Sequence, residues 1–448
     1  MRSSEIGQVF LRFHHDKAFS VLPGSSLLDP SIPFTFVMSA GLVQIEMALN
    51  QREDGWNGKR YVMLQKCFRH FDVQTVGSTD MHLSLFEMPA AFLFGSCDKV
   101  ECVRHMWELL TSALGLSKDE LCVTYFSGDE ISGHFFDEDC EVYQAWREVG
   151  LPPERIIGSS VDTNFWKQGD GISGMGRYHK CGSNTEVFLD RGSHLSCGPD
   201  CGPGCHCGRF VEVANSLFVD TEIDGENNTL RPLAMPFSEL VVGTERLAMV
   251  LQGQDSVFEI DSFAPIKTVI REFSSADGMP PEIVCVSENI LADHWRALFF
   301  LVADGAPSPG RDGRQRIIKI LVRSILTRQI ILGISHDFLP VMADTIIAVH
   351  QEASKLVKAR NIVLQYITEE SERFMKTLAR GKCQFRNLLT ENSGRTLTGE
   401  QIVFLEKRRG VPSALVEKWL LGRELSFNKP AYENALEEWR RSLDTRTG

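Results

Sequence analysis

Hydrophobic periodicity changes once along this 448-residue chain, near residue 264, and that change restricts the architecture it can adopt. Before it, apolar residues come in short β-rich runs, among them YVMLQKC, LSLFEM, LCVTYF and EVFLD, mixed with helical stretches such as 100–114. Loops carrying Gly, Pro and Asp separate them, as in an α+β domain with an antiparallel sheet. After it, segments 285–303, 315–332, 339–351 and 353–379 place apolar residues at helical spacing, with breakers at Gly305, Pro307, Pro309, Gly313 and Gly333. A short piece beyond Gly381 ends in an amphipathic segment, 430–441, with Tyr432, Leu436 and Trp439 as its stripe. The expectation is an α+β domain over 1–258, a helical domain over 259–390 and a small helical segment over 391–448.

Composition narrows the partners. Hydrophobic residues make up 43% and charged residues 24%, ordinary globular values for about two or three domains. No apolar run is long enough to span a bilayer, and MRSSEIGQVFLRFHH lacks a signal-peptide core, so no membrane partner is expected. Twelve cysteines in such a chain fit a reducing, cytoplasmic setting, with thiols free or on metal. The net charge of −12 is uneven: residues 311–448 hold 24 Lys+Arg against 16 Asp+Glu, and residues 1–310 hold 23 against 43. A basic final third on an acidic body suits a polyanion such as RNA, and suits a solvated helical surface equally well. DNA is not expected.

Four cysteines, Cys197, Cys201, Cys205 and Cys207, fall within the run CGPDCGPGCHCGRF. Glycines and prolines between them permit tight turns, so the thiolates can converge on one Zn²⁺ that pins a loop. The C-x3-C-x3-C-x-C spacing is not the common paired CxxC, and free thiols are the other reading. Gly169-x-Gly171-x-x-Gly174 matches a dinucleotide fingerprint, yet it follows NFWKQ rather than a buried strand and no helix pattern follows. A dinucleotide site is rejected.

Three segments carry chemistry together. GSSLLDPSIPFTFVMSAGL (24–42) is a Pro-punctuated entry into a core, and QKCFRH followed by HLSLFEM reads as two strands joined by a loop with Arg69 near its start. GTERLAMVLQG (243–253) reads as a glycine leading into a helix with Arg246 in its first turn. Two arginines on separate elements meet the needs of amino-acid activation by ATP. Charge builds on the α-phosphate as a carboxylate attacks, and the β,γ-phosphates must be held; a guanidinium gives forked, permanently charged donors for both tasks. Phe86 on the strand is placed to stack on adenine. Taken singly, each arginine reads as a surface residue and Phe86 as core; the ordered set carries the argument.

From near Val9 to about residue 420 the chain resembles the catalytic and tRNA-recognition portion of alanyl-tRNA synthetases. The matching pieces are QKCFR, LFEM, HMWELLT with LCVTYF, DTNFWKQG, CGSNTEVFLDRG, CGPDCGPGCHCGRFVEVAN and GTERLAMVLQG, then ILADHWRALFFLVADG, EESERFMKTLARG and LTGEQIVFLEKRRGVP. The resemblance implies a class II antiparallel sheet flanked by helices, an all-helical domain after it, ATP with Mg²⁺, and alanyl-adenylate as intermediate. It implies that Arg69 contacts the α-phosphate and the alanine carboxylate, Arg246 the γ-phosphate, and that Phe86 and Met88 line the adenine site. Trp166 and Asn215 would border the alanine pocket, Glu186 would assist the metal or nucleotide, and the four cysteines match an insertion found in part of the family.

Four departures bear on the acceptor. The chain stops where the family's editing domain would begin, and no two of its histidines lie four apart as an HxxxH pair requires. The loop after Arg69 is short, with HFDVQT alone before Val76 and Gly77. Pro309 and Lys407 stand at the places where the family reads the acceptor-stem G·U pair. Glu239 aligns with the family's ammonium-binding aspartate, one methylene longer. The expectation is a stand-alone enzyme that activates alanine with ATP and transfers it to a small nucleoside-like acceptor, as in antibiotic biosynthesis. The alternatives are a minimal enzyme charging tRNA(Ala), which the basic final third favours, and a non-catalytic regulator, which retention of Arg69, Phe86, Asn215 and Arg246 disfavours.

Overall fold

The structure is a computed structural model that describes residues 1–30, 32, 37–45, 55, 58–168, 178–276, 278–350 and 353–447. The Gly169–Gly174 fingerprint and part of the 24–42 segment lie outside the described residues. Two compact units are present: Met1–His70 with Asp80–Asp261, and Phe71–Thr79 with Ser262–Gly448.

The strands of the first unit are β1 (Ser20–Val21), β2 (Arg60–Phe68), β3 (Leu85–Phe94), β4 (Leu121–Phe126), β5 (Asp129–Ile131), β6 (His134–Phe136), β7 (Ile156–Ser159), β8 (Phe165–Lys167), β9 (Tyr178–Asp190), β10 (Phe210–Asp224) and β11 (Leu230–Val242). Nine form one sheet in the order β1-β2-β3-β11-β10-β9-β4-β7, with β8 on β9. Among the described residues, only β1–β2 and β4–β7 pair as parallel strands, so the sheet is mostly antiparallel, as the class II resemblance implies. The unit's helices of eight residues or more are, among the described residues, α1 (Ser3–His15), α2 (Lys99–Glu108), α3 (Cys140–Glu148) and α4 (Thr244–Leu251). All six residues of β4, LCVTYF, are buried, the continuous apolar run of a strand covered on both faces.

The middle of the sheet is three long strands of 13, 15 and 13 residues, β9, β10 and β11. Of these, only EVFLD is legible as strand in the sequence. The reason lies in β10: its register slips between Glu212 and Ala214 and again between Leu217 and Thr221. Each slip breaks the period-2 pattern on which strand recognition depends. One face packs Met63, Ala90, Phe92, Phe94, Leu217, Val219 and Phe237 into a core. The opposite face is backed by α3, whose buried Trp146 donates its Nε1–H to Thr185 Oγ1 at 2.9 Å.

The second unit is helical, with α5 (Ala264–Phe273), α6 (Pro281–Ala303), α7 (Gly313–Leu332), α8 (Phe338–Val349), α9 (Ala353–Glu391), α10 (Gly399–Arg409), α11 (Ser413–Leu421) and α12 (Lys429–Thr447). Helix α6 is buried without interruption from Ser287 to Val302, which makes it the central helix. Two of its polar side chains are paired: Asn289 accepts from the buried Lys267 Nζ at 2.9 Å, and His294 Nδ1 lies 2.9 Å from Ser324 Oγ. Helix α10 begins with a Thr398–Gln401 capping box and ends at Gly410 with φ +70°. From α12, the Tyr432 hydroxyl donates to Glu406 and the Trp439 ring lies under Lys407 Nζ at 5.5 Å.

The second slip in β10 carries Phe218 over Gly182, where an added Cβ would lie 1.7 Å from the Phe218 carbonyl oxygen. Gly182→Ala must therefore move backbone in the sheet centre. A cost at the upper end of about 1–3 kcal/mol is expected, visible as a lower midpoint of thermal unfolding.

Candidate active site

Antiparallel pairing makes residues opposite one another point to the same side, and this rule assembles the site. Cys67 pairs with Phe86 and Gln65 with Met88 across β2 and β3. Glu239 pairs with Phe92 on β3 and Leu217 on β10, and Val241 with Ala90 and Asn215. Asn215 pairs with Glu186 of β9, which pairs with Thr124 of β4. Phe86, Met88, Glu239, Asn215 and Glu186 therefore share one face, and it is the face of the core containing Phe92 and Leu217.

The slip between Glu212 and Ala214 matters here. Glu212 pairs with Phe188 and Asn215 with Glu186, so two residues three apart on β10 face the same way. Glu212 Oε2 accepts from Arg246 Nη1 at 2.8 Å, and Asn215 Nδ2 donates to Glu186 Oε1 at 3.3 Å. Burial, then the neighbouring Glu212 carboxylate, pushes the Glu186 carboxyl up to about 8, with Arg246 pulling the other way. Two carboxylates, one amide and one guanidinium thus form a compact group.

Arg69 follows β2 directly. Its guanidinium lies 4.9 Å from the centre of the Phe86 ring, and its Nε donates to the Ser39 carbonyl at 3.4 Å. Beneath it, Cys67 is kept as a thiol by burial, against the pull of Arg69 and with added push from Glu239 and Glu245. Arg246 lies in the first turn of α4, as its sequence setting implied. Glu239 is nearly buried, while Trp166 of β8 is partly buried, pairs with Gly182 and packs on the core that includes Leu217.

The cysteine run forms the connection between β9 and β10. The sulfurs of Cys197, Cys201 and Cys205 lie within 4.8 Å of one another, and Cys201 Sγ is 3.6 Å from Cys207 Sγ. Sulfurs set tetrahedrally at about 2.3 Å from a zinc ion would be about 3.8 Å apart, a spacing the Cys197, Cys201 and Cys205 group can meet, with Cys207 beside Cys201. The Cys201 thiol is held down to about 6, first by a backbone hydrogen bond from Cys197. At the neck of the insertion, Arg209 grips Asp190 with two bonds of 2.7 Å.

Two other residues of the sequence reading lie in the helical unit. Pro309 is buried, and Lys407 Nζ is bound to Glu406 Oε1 at 2.7 Å as well as to the Trp439 ring.

With this geometry in place, the match to known proteins can be read. The family profile of tRNA synthetases class II (A) matches residues 5–447. The chain belongs to that family. Its relatives include an alanine–tRNA ligase of Desulforamulus reducens, 32% identical over 98% of this chain and 48% of that protein. Another is an alanine–tRNA ligase of Thermoanaerobacter sp. (strain X514), 30% identical over 98% of this chain and 48% of that protein. The chain therefore spans about half the length of the curated relatives it matches. Among solved structures, apo histidyl-tRNA synthetase of S. aureus shares 9% identity at a TM-score of 0.33, over 56% of this chain and 66% of its own. That likeness is too loose to carry further argument.

Membership of the class II synthetase family, with alanine–tRNA ligases among its relatives, is the frame in which the site is read. No helix among the described residues is long and apolar enough to cross a membrane. The expectation of a nucleoside-like acceptor finds no support: both relatives are alanine–tRNA ligases, which favours the tRNA-charging alternative. Glu212 escaped the sequence reading. Its signal was there, a lone acid three residues before Asn215 in FVEVAN, but which way it points depends on the β10 slip.

The shared environment of the two acids is testable in the protein alone. Glu212→Gln removes a like charge but leaves the burial, so the Glu186 carboxyl should titrate below about 8, as followed by carbon-13 NMR of labelled glutamate. An unchanged titration would show that the two carboxyls do not interact.

Proposed function

We propose that this synthetase activates alanine with ATP and passes the alanyl group to tRNA. The carrying observation is one sheet face that brings Phe86, Met88, Glu186, Glu212, Asn215 and Glu239 together with Arg246 beside Glu212. The names of the relatives support alanine and tRNA as substrates.

In this reading the alanine carboxylate attacks the α-phosphate and pyrophosphate leaves. Arg69, already braced by Phe86 and the Ser39 carbonyl, receives the charge that develops on the α-phosphate oxygens. Phe86 and Met88 hold adenine, and Arg246 turns from Glu212 to the γ-phosphate. Glu186 and Glu212, with Asn215 beside them, have the donor chemistry to hold Mg²⁺, which would neutralise phosphate charge. Trp166, Asn215 and Glu239 border the alanine, with the Glu239 carboxylate as partner for its ammonium group. No protein nucleophile is needed; catalysis comes from positioning and charge stabilisation. The basic final third supplies attraction for tRNA. Pro309 has no side-chain donor and Lys407 is engaged within the fold, so neither reads the acceptor-stem G·U pair. Zinc bound by Cys197, Cys201, Cys205 and Cys207 pins the insertion.

Alanine-dependent ATP–pyrophosphate exchange should be measurable, and Arg69→Ala or Arg246→Ala should lower it by about 10²–10³. Near-wild-type exchange in both variants would remove the site assignment. In charging assays tRNA(Ala) should accept alanine, its G·U-disrupted variant should be charged almost as well, and nucleosides should accept none. A strong preference for intact G·U would contradict the reading of Pro309 and Lys407.

Purified protein should carry about one equivalent of zinc, the content of a single four-thiolate site. Cys201→Ser should lower the thermal midpoint more than it changes alanine-dependent exchange. A metal-free protein of full stability would show the run to be a set of thiols.

A further inference from the structure

The adenine-side strand and the phosphate-side helix meet at a place where the sheet is incomplete. Pairing of β11 with β3 starts at Ala90 and runs toward Phe94, because β11 ends at Val242 and the chain turns through Gly243 into α4. The backbone of Glu87, between Phe86 and Met88, lies beyond the reach of β11. The chain has adapted to this twice. Pro89, two residues on and turned to the same side, has no N–H to satisfy. The Glu87 N–H instead donates to the side chain of Glu245, at 3.1 Å from Oε2.

A second link runs between the same two elements. Thr244 Oγ1 donates to Glu87 Oε1 at 3.1 Å, and Lys66 Nζ approaches Glu87 Oε2 at 3.7 Å from β2. Thr244 and Glu245 are both buried and form the first turn of α4 immediately before Arg246. An added Cβ on Gly7 of α1 would sit 3.0 Å from Glu87 Oε1, so the carboxylate is hemmed in from that side too.

We infer that Glu245, assisted by Thr244, is a positioning residue that clamps Glu87 and so holds Phe86 and Met88 at a fixed offset from Arg246. The inference rests on the adenylation reading of this site. In that reading Phe86 and Met88 hold one end of ATP and Arg246 the other. A carboxylate reaching across the missing strand position sets the distance between the two ends. Neither Glu245 nor Thr244 touches ATP itself. Their loss therefore weakens ATP binding while leaving the alanine side of the face, Trp166, Asn215 and Glu239, as it is.

The test is steady-state ATP–pyrophosphate exchange on the full chain, with KM for ATP and for alanine measured separately. Glu245→Ala should raise KM for ATP about tenfold, the scale of one lost hydrogen bond to a charged acceptor, with KM for alanine unchanged within about twofold. Glu245→Gln keeps an oxygen that accepts from the Glu87 N–H and should recover most of the wild-type value. Thr244→Val, which is nearly isosteric, should raise KM for ATP in the same direction and serves if Glu245→Ala fails to fold. Equal effects on both KM values, or no difference between the Ala and Gln variants, would overturn the clamp. Arg246→Ala, run alongside, separates the two layers of argument. If it raises KM for ATP while Glu245→Ala and Thr244→Val do not, the clamp alone is wrong; if none of the three does, the site assignment falls with it.

Discussion

Everything at the candidate site depends on the pairing of β10 with its two neighbours. Strand β10 shares one edge with β9 and the other with β11, and the residues it presents to one face select which residues of both neighbours join them. A one-residue change of register would turn Asn215 away and bring Ser216, now hydrogen-bonded to the Glu239 carbonyl, onto the site face. The slip before Ala214 brings Glu212 to the side of Arg246 without displacing Asn215 from Glu186. The apolar half of the same face, from Met63 to Phe237, fixes the register by burial.

That arrangement carries a thermodynamic cost in the absence of substrate. Glu186 titrates in the folded protein near 8, against 4.5 for a free carboxyl. Its folded pKa is raised, so its contribution to stability is complete below about 4.5 and is lost as pH rises through about 8. Arg246 offsets part of this by its bond to Glu212. A cation between the carboxylates would offset more, since it favours the ionised form that the fold disfavours. The acid pair is thus destabilising for the protein alone, and in the proposed adenylation reading bound phosphate and metal would relieve it, the usual direction of conflict between a stable fold and a functional site.

The fold class was legible because its two halves differ in hydrophobic period, and α6, α7 and α8 could be read almost to their ends, whereas α9 runs on from 379 to Glu391 and α5, α10 and α11 were not read as separate elements. The least legible part is the most central. FVEVANSLFVDTEID has acids and an amide at inward positions, and two slips that cancel alternation, so nothing local marks it as a strand. Arg69 and Arg246 stood out as charged residues at element boundaries, beside a strand end and in a helix first turn. Glu212 and Glu245 did not, because each has its meaning only through a partner distant in sequence, Arg246 for one and the Glu87 backbone for the other. Charge on a buried strand or in a helix first turn is visible in a sequence; the atom it answers is not.

The cysteine insertion shows how a long loop can be carried between two strands whose register matters so much. The last pair of the hairpin is Asp190 with Phe210, four pairs from the Glu186–Asn215 pair on which the site rests. Immediately outside it, Arg209 closes the neck with a bidentate bond to Asp190, and the Arg191 N–H donates to the Arg209 carbonyl at 2.9 Å. A charge-assisted fork at the neck makes the strand ends meet whatever the loop beyond them does. The sulfurs then need only organise the loop itself. That salt bridge stands between the insertion and the site, so a metal held in the loop would belong to the architecture and not to the chemistry.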